Sequence, residues 1–168
     1  MVDAKPILAP SLRIGAMQVD ATGVTLRTLL GSCVGLALYD RRQAIGGLAH
    51  VLLPDSNGKT QQPGRFVDTA IPCLVDQMKK IATKPLQLTA TIAGGASMFS
   101  SGSVILIGQQ NVQACRSSLA QWKIPIAAEH CGGEKGRRMS LQTDSGIVLI
   151  EIAGQPTIQL SPNPRNVR

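Results

Sequence analysis

The sequence predicts a mixed α/β domain in which helices pack on a β-sheet. Its 168 residues suit one domain, expected to span the whole chain. Aliphatic residues must form the core, because the chain is 43% hydrophobic but only 2% aromatic. Seventeen glycines and ten prolines favour many turns and short elements over a helical bundle. Hydrophobic patterning then gives seven or more strands and two helices.

The first half of the chain consists mainly of short apolar stretches that turn signals separate. Residues 1–10 are expected to form a loose arm. Two hairpins are predicted, one across the turn at 20–23 and one across the polar turn at 40–43. A loop follows at 54–58, and the polar residues 59–65 connect it to the first helix. The four strands are expected at 12–19, 24–30, 34–39 and 44–53.

One apolar stripe at helical spacing predicts a helix over 67–81. Lys79 and Lys80 near its C-terminal end suit the helix dipole. Pro72 is harmless only if the helix starts near Asp68 or Thr69, because a later proline kinks a helix.

The second half alternates strands with a second helix. A strand over 86–93 ends at Gly94, and a short strand is expected at 104–107. Asn111 is expected to cap the second helix, which carries Val112, Cys115, Leu119 and Trp122 on one face. The tail 156–168 shows no periodicity and is expected to be loose. Three further strands are predicted at 124–128, 138–142 and 147–152.

The four cysteines do not form a secreted disulfide pattern, and none belongs to a C-x-x-C pair. The N-terminus has no apolar signal region, and no run of about 18 apolar residues occurs. These features predict a cytoplasmic protein with free thiols and without membrane insertion.

The net charge of +7 would attract nucleic acid, an anionic surface or an acidic protein. Single-strand binding usually needs aromatic stacking platforms, and this chain has very few. We therefore expect no nucleic-acid partner, while an acidic protein partner would explain the charge.

Cys33 and His50 are the residues best placed for chemistry. Cys33 follows Gly31 at a break before an apolar strand, and His50 lies in the strand expected beside it. An imidazole that takes the thiol proton turns a cysteine into a nucleophile. A buried structural thiol and a core histidine would give the same spacing, so both interpretations stay open on spacing alone.

Several segments, in order, resemble the signature of the CheD family. The resemblance extends over residues 12–152. It rests on Thr28–Val34, Gly47–Pro54, Arg65–Asp68, Gly94–Phe99, Ile107–Gly108 with Asn111, and Gly132–Gly133 with Gly136–Arg137.

The resemblance implies an α/β sandwich and hydrolysis of specific glutamine side chains in chemoreceptors (methyl-accepting chemotaxis proteins). It also implies a Cys-His-Thr site in which Cys33 is the nucleophile and His50 the base. Thr28 is the expected third member, with Thr25 as the alternative. Backbone N–H groups near Gly31 and Ser32 are expected to stabilise the oxyanion. No metal or organic cofactor is required.

Two other hypotheses remain open at this stage. One is a non-catalytic chemotaxis module that docks on receptors or on a CheC-type phosphatase, an interaction that the resemblance also implies in some systems. The other is a different cysteine hydrolase on a related sandwich. His130 and Cys131 stand where the family tends to have acidic residues. With Cys33 and His50 they could suggest a metal site, but they lack zinc-like spacing.

Overall fold

The computed structural model describes residues 5–59, 61–98 and 102–163, with only the backbone of 102–106. A short 3₁₀ helix (Pro63–Arg65) precedes the first α-helix. The helices are α1 (Val67–Ile81) and α2 (Gly102–Gln121). The strands are β1 (Leu8–Leu12), β2 (Met17–Asp20), β3 (Thr25–Leu30), β4 (Val34–Asp40), β5 (Ile45–Val51), β6 (Leu88–Gly94), β7 (Ile126–Cys131), β8 (Arg137–Gln142), β9 (Val148–Glu151) and β10 (Ile158–Leu160).

The described strands form two five-stranded sheets. Sheet A has the order β1-β3-β8-β9-β10, and sheet B has the order β2-β5-β4-β6-β7. Both are mixed, because β1 pairs with β3 and β6 pairs with β7 in parallel, while the other pairings are antiparallel. The predicted α/β fold class with mixed sheets is confirmed.

Sheet B lies between the helices and sheet A, and its strands β4 and β5 are therefore buried on both faces. Along β4, Val34 and Leu36 belong to the core that packs against α1 and α2. Ala37 belongs to the second core, between the two sheets, as Cys33 does just before the strand. This alternation follows from the two-residue period of a strand. The alternation therefore determines whether a side chain near Cys33 points towards the helices or towards sheet A.

The predicted pairing of 12–19 with 24–30 is wrong. β2 pairs with β5 in sheet B, whereas β3 lies between β1 and β8 in sheet A. Asp20 stabilises the crossing between the sheets, because its carboxylate accepts hydrogen bonds from the Thr22 and Val24 N–H groups and from the Thr143 hydroxyl. The turn signal at 20–23 therefore marks a change of sheet and not a hairpin.

Parts of the predicted arm and tail belong to sheet A. Residues 8–10 lie in β1, which pairs with β3, and residues 158–160 form β10, which pairs with β9. Residues 1–4 and 164–168 lie outside the described residues. Edge strands this short carry weak periodicity, which explains why the pattern did not reveal them.

The predicted strand at 104–107 is wrong, because these residues lie in the first part of α2. Asn111 is likewise not a cap but lies in the middle of that helix. Gly108 permits close packing, since a Cβ there would come within 2.6 Å of the Gly95 carbonyl oxygen. A short apolar run cannot by itself distinguish a strand from a buried helix turn.

The prediction of α1 over 67–81 is confirmed. The helix begins at Val67, so Pro72 lies beyond the first turn, and its missing N–H leaves the Asp68 carbonyl without its helical partner. The hairpin of β4 and β5 is confirmed as well, with pairing from Val34–Val51 to Asp40–Ile45. No helix in the described part of the chain is long and apolar enough to cross a membrane.

Candidate active site

Cys33 and His50 share one face of adjacent strands. His50 pairs with Gly35 across β4 and β5, and Cys33 lies two residues before Gly35. Such diagonal neighbours are within reach of longer side chains. Cys33 packs between the sheets, and the side chain of His50 bonds across to sheet A. Both residues are buried, with 7% and 5% of their surface exposed.

Thr28, on β3 in the facing sheet, holds the imidazole. Its Oγ1 lies 2.7 Å from His50 Nδ1 and 2.8 Å from the Leu12 carbonyl oxygen, to which it donates. A hydroxyl has one proton, so Nδ1 is the donor in the bond between Thr28 and His50. Nε2 is then the unprotonated nitrogen, and it is buried without a hydrogen-bond partner among the described residues. His50 is thus arranged as a proton acceptor at Nε2.

Thr25 lies on the same strand as Thr28, but its side chain points away from His50. Side chains three residues apart on a strand point to opposite faces. No hydrogen bond joins Thr25 to His50 within the described ranges, whereas Thr28 makes one.

Burial favours the neutral form of both side chains. It raises the pKa of Cys33, an effect that its own N–H and the charge of Arg65 offset in part. Burial also lowers the pKa of His50, an effect that the nearby Leu12 backbone offsets in part. A neutral thiol and a neutral imidazole are therefore the expected state near pH 7, and not a preformed ion pair.

The loop 31–33 is fixed by its carbonyl groups, each of which accepts a hydrogen bond. The donors are Ala96 N–H to Gly31 (2.9 Å), the Asn111 side chain to Ser32 (3.2 Å) and Gly95 N–H to Cys33 (2.8 Å). The N–H groups of Ser32 and Cys33 belong to the same trans peptide groups as the carbonyls of Gly31 and Ser32. In a trans peptide group the N–H points in the opposite direction to the carbonyl. The two N–H groups are thus turned away from these donors, and the N–H of Cys33 lies close enough to its own sulfur to lower the pKa.

Gly94 allows the loop 31–33 to approach the end of β6. Its φ of +107° belongs to the region that favours glycine, and a Cβ there would collide with the Cys33 carbonyl oxygen. The first glycine of the pair after the predicted strand at 86–93 therefore has a steric reason, which is to seat the Cys33 backbone, while a Cβ on Gly95 would collide with Val112 and Gly108 of α2.

Two further residues beside the site, Arg65 and Asn111, were not predicted to act there. The Arg65 carbonyl accepts hydrogen bonds from the N–H groups of Leu52 and Leu53, just after His50. The Asn111 side chain reaches both Ser32 and Leu52. Only their occurrence in segments that resemble the family could have identified them.

His130 and Cys131 lie at the end of β7, beside Ala93 and Gly94 of β6. Arg137 donates to His130 Nδ1 at 2.8 Å, and the Cys131 thiol donates to the Ile92 carbonyl. No group of three or more His, Cys, Asp or Glu side chains in the described ranges is arranged to hold a metal ion. Phe99, part of a family segment, lies outside the described residues.

Comparisons with known proteins point to one family. Residues 52–152, more than half of the chain, match the family model described as CheD chemotactic sensory transduction. A Methanococcus maripaludis protein (strain S2) named "Probable chemoreceptor glutamine deamidase CheD" is 39% identical over 146 residues, covering 86% of this chain and 95% of the relative. A Clostridium botulinum protein (strain Hall) of the same name is 45% identical over 136 residues, covering 78% and 84%.

Proposed function

This chain belongs to the CheD family, and from that premise we propose that it deamidates chemoreceptor glutamines by a Cys33-His50-Thr28 mechanism. The reaction hydrolyses a side-chain amide to give glutamate and ammonia. The chain is accordingly an amide hydrolase, and chemoreceptors are its substrates.

The first half of the reaction forms a thioester. His50 Nε2 accepts the thiol proton as the Cys33 sulfur attacks the side-chain carbonyl carbon of the glutamine. The carbonyl oxygen becomes an oxyanion, which the N–H groups of Ser32 and Cys33 stabilise. Protonated His50 then donates to the amide nitrogen, the carbon–nitrogen bond breaks, and ammonia leaves.

The second half hydrolyses the thioester. Neutral His50 accepts a proton from water, and the resulting hydroxide attacks the thioester carbonyl. The carbon–sulfur bond breaks, the sulfur recovers a proton from His50, and glutamate leaves. No step requires a group beyond these side chains, the backbone and water.

One observation supports this assignment most directly. The 2.7 Å bond between Thr28 and His50 fixes the tautomer and leaves Nε2 free, on the strand face that also carries Cys33. Threonine thus orients the base, the role that an acidic residue has in other triads. A core histidine without a catalytic role would be expected to have both ring nitrogens satisfied.

Incubation with a purified chemoreceptor tests the proposed function. We expect mass spectrometry to show amide converted to acid at a few defined glutamines, with ammonia released in equal amount. A generic glutamine peptide is the control, because a less selective cysteine hydrolase would act on both. An unmodified receptor would contradict the proposal.

Replacing Thr28 with valine tests its orienting role. The variant keeps the shape of the side chain but loses the bond to His50, so the imidazole can adopt the wrong tautomer. We expect kcat to fall by about 10–100-fold with little change in KM, because general-base catalysis as a whole contributes about 10²–10⁴-fold. Thr25→Val is the matched control on the same strand, and an equal loss in both variants would refute the assignment.

Two finer expectations remain proposals. The family resemblance implies an interaction with a CheC-type phosphatase in some systems, and co-purification with such a phosphatase would test it here. The second is the cytoplasmic location predicted from the sequence. In the cytoplasm the Cys33 thiol would stay reduced, as the proposed mechanism requires.

A further inference from the structure

Asn111 joins the two strands that carry the proposed nucleophile and base. Its side chain is fully buried in α2, and its Nδ2 donates to the Leu52 carbonyl at 2.8 Å and the Ser32 carbonyl at 3.2 Å. Ser32 directly precedes Cys33, and Leu52 follows His50 by two residues. One amide group therefore bonds to the backbone beside both reactive residues.

These bonds occur where the regular pairing of the two strands ends. The β4–β5 ladder runs up to the pair Val34–Val51, and the next positions along the strands are Cys33 and Leu52. Backbone pairing fixes the distance between diagonal neighbours on two strands only where the strands are hydrogen-bonded to each other. Beyond the last pair, the Asn111 side chain connects the two chain segments in its place.

The amide acts from the opposite face of the sheet to the reactive side chains. Core residues of α2 pack with Val34 and Val51 on the helix face of sheet B, whereas Cys33 packs towards sheet A. Asn111 therefore does not lie on the face of the sheet that carries the sulfur. Among the described residues, its side chain forms hydrogen bonds with backbone groups alone.

A role in packing alone explains the amide poorly. Asn111 Oδ1 is buried and has no hydrogen-bond partner among the described residues, which is unfavourable for a polar atom. An apolar side chain of similar size would avoid that cost. The two carbonyl groups that Nδ2 holds give the better reason for an amide at this position.

We propose that Asn111 is a positioning residue that sets the distance between Cys33 and His50 by holding Ser32 and Leu52 together. This inference rests on the proposed deamidation. It assigns Asn111 no contact with the substrate, so its loss affects the chemical step and not receptor binding.

Asn111→Leu removes both hydrogen bonds and fills a similar volume. We expect kcat on the receptor to fall by about 100-fold with KM unchanged, because a small misplacement of reacting groups can cost that much. Leu119→Ala is the control, since Leu119 is equally buried in the same helix but lies in the hydrophobic core. It should lower the melting temperature and leave kcat unchanged.

Asn111→Asp provides a pH readout that a loss of stability would not give. A carboxylate opposes the carbonyl oxygens of Ser32 and Leu52, whereas the protonated acid can donate to one of them. Burial raises the pKa of such a carboxyl group. The activity of Asn111→Asp relative to the unsubstituted protein should therefore increase as the pH falls.

Full kcat in a folded Asn111→Leu variant would overturn the inference, as would an equal loss in Leu119→Ala. Alkylation of Cys33 by iodoacetamide, followed by peptide mass spectrometry, needs no receptor. If the unsubstituted protein proves inactive, the alkylation rate of Cys33 alone tests the positioning role of Asn111. A loosened loop should expose Cys33 and raise its rate in Asn111→Leu but not in Leu119→Ala, and equal rates would refute the inference.

Discussion

Replacing Cys33 with alanine is expected to reduce ammonia release from a purified chemoreceptor by about 10⁴-fold or more, because losses of that order follow removal of a nucleophile in comparable triads. No other thiol is placed to take over from Cys33. Cys115 belongs to the core on the helix side of sheet B and Cys131 packs against that core, whereas His50 bonds across to sheet A. Burial also raises their pKa values, to about 12 for Cys115 and about 11 for Cys131. Parallel ammonia and receptor mass measurements would give the loss.

Cys73→Ala is the matched control for Cys33→Ala. Cys73 lies half-buried on α1, where its sulfur contacts Gln77, and no described hydrogen bond joins it to the site. This variant should keep full activity. Removing a small side chain at either position should leave the fold intact, which circular dichroism would verify. A folded Cys33→Ala variant with the activity of the control would exclude the thioester mechanism.

Replacing His50 with glutamine is expected to lower kcat/KM by about 10²–10⁴-fold, the usual contribution of a general base. It should also change the pH dependence. Burial lowers the pKa of His50 from 6.5, so the unsubstituted protein has a neutral base above that lowered value. Its rate should rise as the pH climbs through the lowered pKa and level off near neutrality. The variant should lack this acidic limb.

Rates between acidic and neutral pH, measured with the receptor in excess, would test this prediction. His130, the other histidine, also has a pKa lowered by burial, and Arg137 contributes. His130→Gln is therefore the control that separates the two titrations. An acidic limb that survives in His50→Gln and disappears in His130→Gln would assign the titration to the wrong histidine for the proposed mechanism.

The neutral resting pair changes what thiol reactivity can reveal. A preformed thiolate would react quickly with iodoacetamide at neutral pH, but burial raises the pKa of Cys33. Slow labelling of the free protein is therefore compatible with catalysis here. Nucleophilic attack depends on His50 taking the proton once the glutamine side chain is in place. Labelling rates compare variants well but do not by themselves distinguish catalysis from docking.

The sequence determined the local elements and pointed to the residues proposed for the chemistry. α1 and the β4–β5 hairpin follow from hydrophobic periodicity and adjacent turn residues, which operate over a few positions. The hairpin also brings Cys33 and His50 to neighbouring strands. The segments around them were sufficient to indicate the family, which the comparisons show.

Only the tertiary structure decided which distant elements meet. Nothing in the pattern of 12–30 shows that β2 and β3 enter different sheets, since each strand's partner lies elsewhere in the chain. Because β3 lies in sheet A, which faces sheet B, Thr28 comes within hydrogen-bond distance of His50. Thr25 lies three residues away on the same strand, so its side chain points to the opposite face. The position of Asn111 beneath both strand ends depends on how α2 packs. Local periodicity sets which face a side chain occupies, but long-range pairing sets what lies opposite it.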